Sequence, residues 1–159
     1  EILMRNSKKV ILFLCTIPLI SNFIFSKEPH KMTKEIISTN NAPQAIGPYS
    51  QAVKAGNLIF ISGQVPINPE TGDVVSGSIK DQSHQVIKNI ENICKAAGYG
   101  LGDIVKLSIF LTDLGNFSIV NEVMKEHFSE PYPARATIEV SGLPLGVNVE
   151  IEAIVVTDG

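Results

Sequence analysis

The chain has 159 residues, 44% of them hydrophobic, and a formal net charge of −3, which suits one compact domain with a sizeable core. Residues 1–31 hold five of the thirteen Lys/Arg and two of the sixteen Asp/Glu, so residues 32–159 carry a net charge of −6. No Lys/Arg cluster is present there to displace counterions from a phosphate backbone, which argues against a nucleic-acid partner. Cys15 and Cys94 belong to no Cys-x-x-Cys unit, and His30, His84 and His127 are scattered without ligand spacing; a disulfide frame and a metal site are therefore not expected.

Residues 4–26 read like a secretory signal: Met4, a basic start through Lys9, then an apolar run. Pro18, Ser21 and Asn22 interrupt that run short of the roughly 18–20 apolar residues a membrane-spanning helix needs, and no stable membrane partner is expected. Residues 40–48, rich in Asn, Pro and Gly, predict an irregular lead-in. Residues 49–55 and 58–62 read as strands joined by a Gly56-Asn57 turn, and 68–73 as a further turn. Residues 79–97 place Val86, Ile90, Ile93, Cys94 and Ala97 on one helical face, with Gly98 as the stop; Cys94 is core packing on that stripe.

Residues 104–112 alternate Val105, Leu107, Ile109 and Leu111 against a mixed face, a strand. Residues 117–128 repeat apolar positions at Phe117, Val120, Met124 and Phe128, a second helix ended by Pro131. Two strands close the chain, 132–140 and 147–156, about a short 143–146 turn. Both helices are expected on one face of the sheet, an α+β layer. The other face needs cover, which points to self-association.

Within 132–140, period-two alternation sets Ala134, Ala136, Ile138 and Val140 on one face and Arg135, Thr137 and Glu139 on the other. Pairing of the last two strands about their turn would bring Thr137 opposite Glu150 and Arg135 near Glu150 and Glu152. A guanidinium fork beside a carboxylate is equipped to hold a small carboxylic acid while water is positioned. The same pair also reads as a plain surface ion pair worth about 0–1 kcal/mol. Glu139 is expected to face solvent or a subunit contact.

Four stretches bear on the choice: Ala42-Pro43-Gln44-Ala45-Ile46-Gly47-Pro48-Tyr49-Ser50-Gln51-Ala52, Ile61-Ser62-Gly63-Gln64-Val65-Pro66, Pro133-Ala134-Arg135-Ala136 and Glu150-Ile151-Glu152-Ala153. In this order they resemble the Rid family (reactive intermediate deaminase, YjgF, endoribonuclease L-PSP-like) over about residues 32–157. The resemblance implies a single mixed sheet of about five to six strands with two helices on one face, chorismate mutase-like, assembled as a homotrimer with ligand clefts between subunits. It implies cytoplasmic, cofactor-free and metal-free hydrolysis of 2-aminoacrylate/2-iminopropanoate and 2-iminobutanoate to a 2-keto acid and ammonia. Met32 looks like the usual start of this family. Residues 1–31 are thus either a secretory or organelle-targeting leader or the product of a start set too far upstream, and the domain is 32–159.

Carried over by position, the family's site falls on Tyr49, Ser62, Gly63, Asn121, Arg135, Thr137 and Glu150. Arg135 would hold the substrate carboxylate and Glu150 would orient or deprotonate water. Tyr49 would close a wall and offer its hydroxyl, and Gly63 would let the carboxylate reach a backbone N–H. Asn121 would face the cleft. Many relatives have Cys where this chain has Thr137, which argues against obligatory thiol chemistry. An endoribonuclease or translation inhibitor, and a regulator that binds small carboxylates without chemistry, remain as alternatives.

Overall fold

The computed structural model describes residues 33–158; residues 4–26, Cys15 and His30 lie outside the described residues. Six strands form one mixed sheet: β1 (Lys34–Ile37), β2 (Ala52–Ala55), β3 (Leu58–Gln64), β4 (Ile104–Leu111), β5 (Ala134–Glu139) and β6 (Val149–Val156), in the order β1-β2-β3-β6-β4-β5. Helices α1 (Ile79–Ala96) and α2 (Phe117–His127) cover one face. The α+β layer expected from the sequence is thus present. β1 is an addition, because three of its four residues are exposed and leave no alternation to read.

Each helix buries an apolar stripe. Val86, Ile90 and Ile93 of α1, with Val120, Val123 and Met124 of α2, pack in one cluster with Ile59, Ile61, Leu107, Ile109, Leu111, Ile151 and Val155 of the sheet. Each such side chain contributes about 1.5–3 kcal/mol by leaving water. A capping box starts α1: the Ser78 side chain accepts from the Asp81 backbone N–H, and the Asp81 carboxylate accepts from that of Ser78. Gly98, at φ +84°, turns the chain away at its end. Cys94 is buried in the cluster, and burial pushes its thiol up to about 12, so it is packing and not a nucleophile.

The expected hairpin of the last two strands does not form. β5 pairs with β4 in parallel, Thr137 against Ile109, while β6 pairs with the other side of β4, Glu150 against Phe110. Parallel neighbours need a crossover, and α2 supplies it. A register shift between Ile104 and Lys106 also leaves Val105 exposed rather than in phase with the buried Leu107, Ile109 and Leu111.

Three polar contacts join the helices, one of them His84 Nε2 to Glu126 Oε2 at 3.5 Å. His84 Nδ1 lies 2.8 Å from His127 Nε2, and Lys80 Nζ lies 2.9 Å from Glu126 Oε1. The histidines that are scattered in sequence therefore meet in the fold.

Candidate functional site

The expected site residues are delivered to two places. Tyr49, Ser62, Gly63 and Glu150 line one pocket, of about 410 Å³. Asn121 and Arg135 line another, of about 340 Å³, with Met124 and Tyr132. Parallel pairing sets Arg135 on the side of Leu107, under the helices, whereas Glu150 pairs with Phe110 on the open side. Within one chain Arg135 and Glu150 thus lie on opposite faces of the sheet, two strand spacings (about 10 Å) apart across it and, through their partners Leu107 and Phe110, offset by three residues or about 10 Å along it. The expected approach of Arg135 to Glu150 and Glu152, and of Thr137 to Glu150, is corrected by the intervening β4.

The first pocket is built from the chain lead-in. Gln51 is buried and acts as a clasp: its Nε2 donates to the carbonyls of Thr39, Ala42 and Pro43, and its Oε1 accepts from the Thr39 N–H at 2.6 Å. A segment too irregular to form a ladder has its backbone groups satisfied by one amide. Ser62 Oγ donates to the Ser50 carbonyl at 2.7 Å, so its proton is committed to holding Tyr49 and Ser50 beside β3.

Within the chain, Gly63 leaves room for the side chain of Glu150. A Cβ there would overlap Glu150 Oε1 and lie 2.8 Å from Glu150 Cδ, so the Glu150 carboxylate occupies the space above this glycine. Partial burial, and secondarily the negative Glu152, raises the Glu150 pKa above the usual glutamate value. A half-buried carboxylate with a raised pKa is suited to taking a proton and giving it back.

Asn89 was not anticipated. Buried on α1, its Nδ2 donates to the carbonyls of Val65 at 3.2 Å and Ile67 at 3.0 Å, fixing the pocket wall that follows β3. A polar residue on an otherwise apolar stripe is the sequence signal that could have found it.

The second pocket holds a cation in a fixed pose. Arg135 Nη1 donates to Asn121 Oδ1 at 3.0 Å, and the guanidinium carbon lies 5.3 Å from the centroid of the Phe117 ring, within cation–π range. Asn121 therefore orients the arginine. Thr137, two residues along β5 from Arg135, lines neither pocket, and its Oγ1 is buried without a hydrogen-bond partner. Glu139 accepts from the Leu114 N–H at 2.8 Å and so secures the turn that leads into α2.

Comparison with known proteins places this geometry. The endoribonuclease L-PSP family profile matches residues 39–157. A RutC family protein of Pyrococcus horikoshii is 56% identical over 121 residues, 76% of this chain and 96% of that protein. The 2-iminobutanoate/2-iminopropanoate deaminase of Dermatophagoides farinae is 46% identical over 125 residues, 79% of this chain and 98% of the relative. The crystal structure of E. coli TdcF with bound serine superposes with a TM-score of 0.75 at 44% identity, covering 78% of this chain and 99% of that one.

Proposed function

Because this chain belongs to the endoribonuclease L-PSP family, the Rid family, we propose that it hydrolyses small 2-imino acids to 2-keto acids and ammonia in a cleft completed by a second copy of itself. The observation that carries this reading is the separation of Arg135 from Glu150 on opposite faces of one sheet. Arg135, Asn121 and Thr137 of one copy would face Tyr49, Ser62, Gly63 and Glu150 of the next. A relative named as an imine deaminase and a structural neighbour solved with serine support a small amino-acid-like substrate, and the resemblance of the four motifs supports a homotrimer.

The chemistry follows from the two half-sites. Arg135, oriented by Asn121, presents its free N–H groups to the substrate carboxylate as a fork. That contact fixes the planar imine so that water meets its carbon from one side. Glu150 accepts a proton as the water oxygen bonds to the carbon. It passes that proton to the nitrogen to give a carbinolamine, then carries the carbinolamine hydroxyl proton to the same nitrogen as the C=O bond forms and the C–N bond breaks, so keto acid and ammonia leave and the carboxylate is regenerated. Its raised pKa lets it serve in both directions.

An endoribonuclease reading requires a cationic track for the phosphate chain. Residues 32–159 carry a net charge of −6 with Arg135 as their single arginine, which favours the imine reading. The test is release of ammonia and keto acid from 2-aminoacrylate generated in place by a pyridoxal-phosphate dehydratase. Acceleration by the parent and its loss in Arg135→Ala are the expected results; an uncatalysed rate with the parent overturns the proposal.

A further inference from the structure

Near one end α1 and α2 are joined by two imidazoles that face each other nitrogen to nitrogen: His84 Nδ1 lies 2.8 Å from His127 Nε2, with the ring centroids 5.0 Å apart. Such a contact needs one N–H and one lone pair, so it accommodates a neutral or a singly protonated pair and fails when both rings are charged. Both rings belong to one chain, and the contact is complete without a second copy. Countercharge for a second proton is scarce. Glu126 is divided between Lys80 Nζ at 2.9 Å and His84 Nε2 at 3.5 Å. On α1, Glu91 is paired with Lys95 at 2.6 Å, Asp81 accepts from the N–H and Oγ of Ser78, and the cation Lys88 stands about one turn along from His84. After α2, Glu130 shares with His127 a groove otherwise lined by uncharged residues.

We propose that His84 and His127 form an acid-sensitive joint, in which a second proton parts this end of α2 from α1 and slackens the hydrogen bond between Arg135 and Asn121. The route to that bond is short. His127 lies six residues after Asn121 and eight before Arg135, so both partners of the bond are carried by chain that runs through the joint. The direction with pH follows from linkage. An unfolded histidine takes up a proton near pH ~6.5, whereas folded His127 is held below that value, by burial first and by His84 second, against the smaller pull of Glu126 and Glu91. The stability tied to the uncharged ring is therefore complete above about pH 6.5 and is lost as pH falls through the folded value. The joint belongs to the helix layer and stands whatever substrate the cleft takes.

The experiment is nuclear magnetic resonance of the full chain with labelled histidine and arginine, together with amide exchange. In the parent, His84 and His127 should titrate as a coupled pair in two separated steps. In His84→Gln, whose amide can still donate to His127 Nε2, the His127 midpoint should move up without returning fully, since burial is the larger cause of its shift. On passing from about pH 7.5 to about pH 5.5, across the ordinary histidine range, protection of the α2 amides should fall in the parent and hold in His84→Gln. Arg135 is one of two arginines in the chain, and its bond to Asn121 hinders rotation of the guanidinium. Its Nη signals, identified by their loss in Arg135→Lys, should merge in acid in the parent and stay distinct in the variant. His127→Gln should hold the α2 protection and the arginine signals in the same way, and at the upper pH both variants should match the parent in sedimentation and melting temperature. A His127 midpoint that is unmoved or lowered in His84→Gln overturns the joint. So do α2 protection and arginine signals that respond to acid equally in parent and variants.

Discussion

Glu150 combines a raised pKa with contact against a glycine, and each property yields a measurement. Glu150→Gln keeps the shape and removes the basic oxygen, so turnover should fall about 10²–10⁴-fold while calorimetry still records keto-acid binding through Arg135. The acidic limb of kcat/KM, which reports the free enzyme, should lie above the ordinary glutamate value of about 4.3. Burial is the larger cause of the shift and the Glu152 charge the smaller. Glu152→Gln removes a negative neighbour that disfavours ionisation, so the limb should move to lower pH without returning fully. Movement the other way would contradict the electrostatic account. Gly63→Ala pushes a methyl group into the Glu150 carboxylate and should cost activity nearly as much as Glu150→Gln. Arg135→Lys should recover little of the loss in Arg135→Ala, because an ammonium supplies a point charge where the Asn121 bond and the Phe117 ring hold a planar fork.

The α1 helix supports the pocket through Asn89, whose amide satisfies two carbonyls of the segment after β3. Asn89→Ala leaves the Ile67 carbonyl without this donor and the Val65 carbonyl with only the Ile67 N–H, and urea unfolding should show a loss of about 1–3 kcal/mol. The helices and most strands are legible from periodicity because each has one buried stripe: Val86, Ile90 and Ile93 recur at helical spacing, and Leu107, Ile109 and Leu111 alternate. Strand pairing is less legible, because alternation fixes which residues share a face and says nothing of the neighbour. The turn near Leu145 suggests a hairpin, yet its left-handed residue belongs to a longer passage that carries the chain past β4. The strand-helix-strand order of β4, α2 and β5 does carry the signal of a parallel crossover. The site residues were named through resemblance, and their division between two faces follows only from the sheet order. The meeting of His84 with His127 is likewise tertiary, as 43 residues separate them.

The open face of the sheet exposes Phe60, Val105, Ile138 and Val156, apolar surface that the helices do not reach. Residues 32–159 should therefore form a homotrimer without the leader, and a monomer at micromolar concentration in sedimentation would contradict this. A site shared between copies makes a sharper demand. Arg135→Ala and Glu150→Gln chains, each inactive alone, should regain roughly a quarter of the parent activity when co-assembled, because random mixing gives that share of interfaces one intact anchor and one intact base. No recovery in verified mixed trimers would place both groups in a single-chain site. The edge position of β5, bonded only along β4, gives that shared site a concentration dependence. Since the anchor and the base reside on different molecules, dilution should lower the rate per chain before it unfolds any chain. Mass action also runs the other way: a keto acid held by both half-sites joins two copies, and its accumulation should shift the dissociation midpoint to lower protein concentration. Substrate supply and assembly would then reinforce one another, with the reacting molecule itself serving as a cross-link.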